Sequence, residues 1–339
     1  MKKMISISLC AAMVMTLCMG CGSAGNTEEA AVEEAAVQTE TADTAETDAV
    51  AADTAAGEAA AGEGRVFGYV TQTLDNPYFV TISDSLKAGL KEGDELIVLD
   101  SVSDINNEID NMNDLISRKV DLIFISTQDA AGIVPTLQEA TAAGIPVICV
   151  DTPLNDPTLV VTTVCSDNYQ GGVICAQKLA EAIGEEGKVG AYIYSNNVVC
   201  GLRGQGFLDT MEKDYPNIEV VVHDGGLPTV ASAMPIMEDL LTANPDLKGL
   251  FAYNDPAAIG CSAAIKAAGL SDQVLVLGMD GSDEGAELMK VGEMFGSATQ
   301  YPDEMGSTAM SLAYKYLGGE EVDNENYIEV GYLDASGVE

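Results

Sequence analysis

The chain has 339 residues, of which 47% are apolar, 20% are charged and 5% are aromatic, and its formal net charge is −39. This length suffices for two domains, each with a substantial apolar core. The large excess of acidic residues argues against a nucleic-acid-binding protein and against electrostatic binding to anionic lipids, because both kinds of partner require Lys and Arg.

The first 21 residues predict a signal segment. Two lysines precede an apolar run over residues 5–19, which is too short to span a bilayer as a mature helix. The segment ends in Leu17-Cys18-Met19-Gly20-Cys21, which resembles a bacterial lipoprotein site with Cys21 as the lipid carrier, although Cys18 stands where Leu is usual. We expect an exported protein that Cys21 anchors to the outer face of the cell membrane. The alternative is an ordinary secretory signal and a periplasmic protein.

Residues 22–64 predict a disordered acidic linker. They consist almost wholly of Ala, Thr, Glu and Gly, with eleven acidic side chains and no Lys or Arg. Such a segment has too little apolar surface to offset the entropy lost on ordering.

From residue 65 onward, strand and helix patterns alternate. The run over residues 147–150 is short, apolar and β-branched, which predicts a strand buried on both faces of a parallel sheet. In the first half, strands are predicted at 65–71, 96–99, 122–125, 147–150 and 159–165, and helices at 77–91, 105–116 and 133–143.

The same alternation restarts after residue 167. Helices are predicted at 170–183, 203–212, 231–243, 257–268, 284–291 and 305–317, and strands at 189–194, 220–222, 250–254, 274–280, 296–300 and 327–332. Two successive runs of similar size predict an α/β protein with two doubly wound parallel-sheet domains and right-handed crossovers.

Four polar residues stand at the ends of predicted strands: Asp151, Asn254, Asp280 and Gln300. Open α/β sheets bind ligands in the crevice beyond the carboxyl ends of their strands. Carboxylates accept hydrogen bonds from hydroxyls, and amides both donate and accept them. Each residue alone is also consistent with a turn. Together they predict a site for a neutral polyhydroxylated ligand.

Two further motifs carry candidate site residues. Arg203 is predicted at a Gly-rich helix start, where its guanidinium could bind adjacent hydroxyls; the alternative is a surface Arg paired with acids. Asn76, before Pro77, is a candidate for either a helix cap or a ligand contact. Tyr78 and Phe79 fall on different helix faces, so at least one ring should leave the core and could pack on a sugar, although both could be buried.

The cysteines and the histidine predict no catalytic or metal site. Five cysteines of the folded part form no Cys-x-x-Cys pair, and we interpret them as buried thiols rather than a disulfide framework. One histidine, His223, cannot assemble a catalytic triad or a metal cluster. A glycosidase with Asp151 and Asp280 as paired carboxylates is the enzymatic alternative. We expect no enzyme, cofactor or metal. The five cysteines are Cys149, Cys165, Cys175, Cys200 and Cys261.

Nearly all of the chain from residue 65 onward resembles the ribose-type periplasmic binding proteins, the substrate-binding lipoproteins of sugar ABC transporters. The motifs that carry the resemblance are Asn76-Pro77-Tyr78-Phe79, Ile145-Pro146-Val147-Ile148, Ser166-Asp167-Asn168, Arg203-Gly204-x-Gly206-Phe207, Asn254-Asp255, Gly278-Met279-Asp280-Gly281 and Ala298-Thr299-Gln300.

The resemblance implies two lobes joined by three hinge crossovers, a type I periplasmic binding protein fold. The lobes would comprise residues 65–166 plus 301–329 and residues 167–300 plus 330–339. It also implies sugar contacts at Asn76, Phe79, Asp151, Arg203, Asn254, Asp280 and Gln300, with Gln72 and Tyr78 at contact positions of altered residue type.

Thr152 suggests which sugar is bound. Ribose-binding members have Arg directly after the position of Asp151, and they have an aromatic residue near Leu227, which this chain lacks. Asp151-Thr152-Pro153-Leu154 is more similar to the fructose-binding branch, so the resemblance implies a hexose or ketose rather than ribose.

The implied role is that of a monomeric sugar receptor that closes on its ligand and delivers it to ABC permease subunits. A receptor that reports to a sensor kinase or a chemoreceptor is the alternative. The export segment and the lack of a basic DNA-reading helix exclude a transcriptional repressor of this fold.

Overall fold

The computed structural model describes residues 64–338. The signal segment, Cys21 and almost all of the predicted acidic linker lie outside the described residues. Between residues 64 and 338, no helix combines the length and apolar character needed to cross a membrane.

Strands and helices alternate almost strictly along the described chain. The strands are β1 (Val66–Thr71), β2 (Glu95–Asp100), β3 (Leu122–Ile125), β4 (Val147–Val150), β5 (Thr162–Ser166), β6 (Gly187–Ile193), β7 (Ile218–Asp224), β8 (Leu247–Ala252), β9 (Leu275–Asp280), β10 (Gly296–Thr299), β11 (Glu325–Ile328) and β12 (Gly331–Asp334). The α-helices are α1 (Pro77–Ala88), α2 (Ile105–Arg118), α3 (Val134–Ala142), α4 (Asn168–Ile183), α5 (Val198–Asp214), α6 (Val230–Ala243), α7 (Asp255–Ala267), α8 (Asp283–Lys290) and α9 (Pro302–Leu317).

The strands form two sheets, each of which defines one lobe. In the first lobe the strand order is β11-β5-β4-β3-β1-β2, and every pair is parallel. In the second lobe the order is β12-β10-β9-β8-β6-β7, and only β12 is antiparallel. The chain passes from one sheet to the other after β5, after β10 and after β11. The predicted fold class, two doubly wound α/β domains, is confirmed.

Each sheet is buried on both faces, as the apolar run of β4 predicts. Ile148 and Val150 point into the core shared with α1 and α9, whereas Val147 and Cys149 point into the core beneath α2 and α3. Full burial of such a side chain stabilises the fold by about 1.5–3 kcal/mol. The second lobe likewise has one core on each face of its sheet.

The largest differences between the predicted and the observed elements lie at α5 and at the last predicted strand. Helix α5 begins at Val198 rather than near residue 203, because the Asn197 side chain caps it by accepting the Cys200 N–H at 2.9 Å. Arg203 is therefore in the second turn and not at the helix start. The single strand predicted at 327–332 is two short strands, β11 and β12, which belong to different sheets.

Helices α4 and α5 touch through their backbones. A Cβ atom on Gly206 would lie 2.0 Å from the carbonyl oxygen of Tyr169, and one on Gly172 would lie 2.0 Å from that of Arg203. Such an approach is open only to glycine. It fixes the helix that carries Arg203 against the helix that begins with Asn168.

We predict that Gly206→Ala destabilises the protein by about 1–3 kcal/mol or more, because the added methyl group must push two helix backbones apart. Urea denaturation measures this loss as a lower midpoint.

Gly201→Ala, in the same helix, is the matched control. Its Cβ would lie no closer than 3.4 Å to any neighbour. Alanine is the better helix former, so this change should stabilise by about 0.5–1 kcal/mol. Equal effects of the two substitutions would contradict the packing argument.

Candidate functional site

Two carboxylates stand at equivalent strand ends of the two sheets. Asp151 follows β4 and Asp280 ends β9, and these strands hold the same place in the two strand orders. Asp151 has a φ of 76° and Asp280 a φ of 144°, values that non-glycine residues rarely adopt. Backbone strain of this kind costs free energy and clusters at functional sites. The two strand ends form corresponding halves of one candidate site.

Close polar contacts through Tyr78 and Gln300 connect the two carboxylates. The Tyr78 hydroxyl lies 2.8 Å from Oδ1 of Asp151 and 3.2 Å from Oε1 of Gln300. Nε2 of Gln300 donates to Oδ1 of Asp280 at 2.8 Å, and its Oε1 accepts from the Ser166 hydroxyl at 2.9 Å. Because a hydroxyl has one proton, Tyr78 donates it to the nearer carboxylate. Gln300, at a passage between the lobes, is thus held from both sides.

Arg203 is buried beside Asp280, with only 4% of its surface exposed. Nη1 donates to Oδ1 of Asp280 and to the Tyr253 carbonyl, both at 3.1 Å. Nε donates to Oδ1 of Asn168 at 2.8 Å. Within residues 64–338 nothing accepts a hydrogen bond from Nη2. One edge of the guanidinium is therefore free to bind hydroxyl oxygens.

Burial governs the protonation of this site. It raises the pKa of Asp151, although the hydrogen bond from Tyr78 and the charge of Arg203 lower it. It likewise raises the pKa of Asp280 to about 7, against the opposing charge of Arg203. Burial alone would lower the pKa of Arg203, but the neighbouring acidic groups, Asp280 foremost, raise it overall. With two carboxylates and one cation, the site suits hydroxyl groups better than anions.

The two candidate asparagines are helix caps. Oδ1 of Asn76 accepts the Tyr78 N–H at 3.0 Å, and Oδ1 of Asn254 accepts the Ala257 N–H at 3.0 Å. Asn76 is exposed and Asn254 is half-buried. In the described part of the chain neither amide nitrogen has a partner, so capping leaves both free to donate to a ligand.

Thr152 and Gln72 complete the first-lobe half of the site. The Thr152 hydroxyl lies 3.1 Å from Oδ2 of Asp151. Nε2 of Gln72 donates to the Thr127 carbonyl at 2.9 Å and lies 3.3 Å from Oγ1 of Thr152. Hydroxyl groups, and no cation among residues 64–338, therefore hold Asp151.

The adjacent rings of Tyr78 and Phe79 have different environments. Phe79 lies in the apolar core of the first lobe. Tyr78 packs at the edge of this core, and its hydroxyl donates to the carboxylate of Asp151. The two rings meet edge to face, with centroids 5.3 Å apart. Their contact with a sugar remains a prediction.

Sequence reasoning did not assign a role to the residues behind the candidate site. Asn168 holds Arg203, and Ser166 holds Gln300. Glu108, completely buried, accepts from the Thr127 hydroxyl and from the Gln128 N–H. A signal for Glu108 did exist, because an acidic residue on the apolar face of α2 needs a buried partner.

The remaining reactive side chains are not gathered into a site. The five body cysteines are free thiols, and all but Cys200 are fully buried. His223 stacks edge to face on Tyr192 in the second lobe. Among residues 64–338, no three His, Cys, Asp or Glu side chains are grouped to hold a metal ion.

Comparisons with known proteins agree on one family. The periplasmic binding protein domain matches residues 67–321. The ribose import binding protein of Salmonella typhimurium is 33% identical over 259 residues, which cover 75% of this chain and 85% of that protein.

Two solved structures are similar over most of the chain. An ABC transporter periplasmic solute binding protein from Actinobacillus succinogenes, with bound D-allose, has a TM-score of 0.74 and 29% identity and covers 81% of this chain and 99% of its own. An ABC transporter solute binding protein from Agrobacterium vitis, bound with α-D-tagatopyranose, has a TM-score of 0.74 and 25% identity, with coverages of 81% and 96%.

We predict that Tyr78→Phe lowers the free energy of unfolding by about 1.5–3 kcal/mol, because Asp151 loses a buried hydrogen-bond donor. Chemical denaturation measures the change. The control is Tyr327→Phe, whose hydroxyl bonds Glu325 on the surface. This control should change stability by less than about 0.5 kcal/mol. A Tyr78→Phe protein as stable as the control would remove the hydroxyl from the network.

Proposed function

Because the chain belongs to the periplasmic binding protein family, we propose that it is the extracytoplasmic substrate-binding protein of a sugar ABC importer. It captures one neutral monosaccharide between its lobes and delivers it to the permease subunits. Cys21 carries the lipid that holds it, as a monomer, at the outer face of the membrane. The observation that supports this proposal is the convergence of Asp151, Arg203, Asp280 and Gln300 from two sheets.

The chemistry of the cluster favours a small polyol. Asp151 and Asp280 accept hydrogen bonds from hydroxyls, and the free Nη2 of Arg203 donates to their oxygens. The free amide nitrogens of Asn76 and Asn254 add donors. An anionic sugar would face two carboxylates against one guanidinium, which disfavours acid sugars and sugar phosphates.

The passages between lobes provide the hinge. The chain crosses after Ser166, after Gln300 and between Ile328 and Gly331, each time over a few residues. Short crossings of this kind allow two lobes to close around a ligand. Gln300 is both a crossing residue and a member of the polar cluster, so sugar contact and closure are coupled at this residue.

The sugar itself is expected to be a hexose or ketose. Thr152 replaces the Arg found in ribose-binding members, so the first-lobe half of the site holds Asp151 with hydroxyls alone. One relative is named for ribose import, and two similar structures contain bound D-allose and α-D-tagatopyranose. The ligand screen therefore includes both pentoses and hexoses.

A thermal-shift and calorimetric screen of the purified protein tests the proposal. Fructose, tagatose, allose and ribose are the ligands, with amino acids as negative controls. One monosaccharide should raise the melting temperature and bind with a single site. Fructose binding without ribose binding would support the fructose-like assignment, whereas binding of amino acids alone would refute a sugar receptor.

Arg203→Ala then localises the site in the same assay. We expect sugar binding to weaken by about 2 kcal/mol or more, because buried hydroxyls lose a charged donor. Arg118→Ala is the matched control, since Arg118 lies on the surface of α2 and its one ion pair in the described part of the chain is with Asp114. An unchanged dissociation constant in Arg203→Ala would place the sugar elsewhere.

The affinity should also depend on pH. Asp280 accepts hydrogen bonds as a carboxylate, and burial raises its pKa to about 7. As the pH falls below that value the carboxyl becomes protonated, so the apparent affinity should fall by up to about tenfold per pH unit.

Calorimetry across a pH series measures this loss. Histidine ordinarily titrates in the same range, and the chain has one, so His223→Gln is the control and should leave the profile unchanged. A flat profile down to about pH 5 would contradict the raised pKa of Asp280 on which this prediction rests.

A further inference from the structure

The second lobe contains a buried carboxylate that is not part of the polar cluster. Asp255, the first residue of α7, has no exposed surface. Its Oδ2 accepts from the N–H and the hydroxyl of Ser282 at 2.7 and 2.8 Å, and its Oδ1 accepts from the Ser297 hydroxyl at 2.7 Å. No ion pair within residues 64–338 includes it.

This burial is energetically costly. Removing a carboxylate from water without a cationic partner costs several kcal/mol, which three charge-assisted hydrogen bonds offset. Burial accordingly raises the pKa of Asp255. An acidic residue that served only the α7 dipole would do so equally well at the surface. The buried position therefore calls for a reason other than helix stability.

The donors that Asp255 engages adjoin Asp280. The Ser282 N–H bonds Asp255 directly, and the Gly281 N–H bonds the Ser297 hydroxyl at 3.0 Å, which in turn bonds Asp255. Both backbone amides that follow Asp280 are thus tied to this one carboxylate. The Asp255 N–H also lies 3.3 Å from Oδ2 of Asp280.

The turn that these bonds hold has an unusual backbone. Asp280 has a φ of 144° and Gly281 a φ of 71°. For a non-glycine residue such a conformation is strained and persists only where the surroundings impose it. The bonds to Asp255 supply that constraint.

The cavity around the Asp255 carboxylate is closely fitted. A Cβ atom on Gly278 would lie 2.2 Å from Oδ1 of Asp255, and one on Gly285 would lie 2.8 Å from Oδ2. Strand β9 and the first turn of α8 therefore approach the carboxylate so closely that only glycine fits at these two positions.

We propose that Asp255 is a positioning residue of the sugar site. Its carboxylate holds the turn after β9 so that Asp280 faces Arg203 and the ligand. This inference rests on the proposed function, in which Asp280 is a sugar contact.

Asp255→Asn tests the proposal with a side chain of nearly the same shape. It removes the charge and replaces one acceptor oxygen by an NH₂ donor. The turn after β9 therefore loses at least one of the hydrogen bonds that the Asp255 carboxylate accepts. We expect the sugar dissociation constant to rise about tenfold or more. The charge of Asp255 also helps to raise the pKa of Asp280, so the acid limb of the affinity profile should move to lower pH.

Ser262→Ala is the matched control. Ser262 is a buried residue of the same helix, and its hydroxyl bonds the Glu293 carbonyl away from Asp280. It should lower the stability of the protein and leave the dissociation constant and the acid limb unchanged. In an Asp280→Asn background, Asp255→Asn should add little further loss, because both changes act through one residue.

Two outcomes overturn the proposal. One is an Asp255→Asn protein of lower stability whose affinity and acid limb match the wild type, which would make Asp255 a purely structural residue. The other is a loss of sugar affinity from Asp255→Asn that is equally large in the Asp280→Asn background.

A ligand-independent measurement separates this proposal from the proposed function. Faster amide hydrogen exchange at Gly281 and Ser282 is expected in Asp255→Asn and not in Ser262→Ala. If the wild type binds no sugar, the proposed function is wrong. If Asp255→Asn leaves the exchange at these two amides unchanged, the positioning role of Asp255 is wrong, whether or not sugar binds. Should Asp255→Asn not fold, Ser297→Ala serves in the same assays, because it removes the link from Asp255 to the Gly281 amide and leaves the two bonds from Ser282 to Asp255 in place.

Discussion

The architecture depends on one constraint, that a charge removed from water must have an ion-pair partner or hydrogen bonds that replace its hydration. Arg203 is the buried cation of the site, and its guanidinium is neutralised by Asp280 and oriented by Asn168 and the Tyr253 carbonyl. These partners come from different elements, so the pairing works only if α4 and α5 touch and β9 ends beside them. The glycine contacts between those helices thus contribute to the charge geometry as well as to the packing.

The two lobes place an aspartate at the same strand end but surround it with different partners. Each sheet delivers one strained aspartate from the equivalent strand, yet Asp280 has a cation and Asp151 has only hydroxyl donors. The second-lobe half is therefore held rigidly by charge. The first-lobe half rests on Tyr78 and Thr152, whose hydroxyls can rotate to exchange partners.

The sequence predicts the fold and the strand-end residues because both rest on local patterns. Apolar β-branched runs followed by a polar residue locate β4 and β9, and their carboxylates follow directly. The start of α5 was mistaken because two β-branched valines concealed the Asn197 cap. The contacts of Asp255 behind the site could not be predicted. Asp255 reaches Ser282 and Ser297 only because the strand order of the second sheet brings their elements together. No spacing along the chain reveals such a contact.

The polar groups of the site already form hydrogen bonds with one another. This limits the binding free energy that a ligand can gain from them. Tyr78 bonds Asp151, and Gln300 bonds Asp280, so a sugar hydroxyl that enters either bond exchanges one hydrogen bond for another at little net gain. If the proposed sugar site is right, selectivity comes mainly from donors that have no partner among residues 64–338: Nη2 of Arg203 and the amide nitrogens of Asn76 and Asn254. All three require acceptor oxygens. A sugar that places ring or hydroxyl oxygens opposite these donors is favoured over one that merely fills the space.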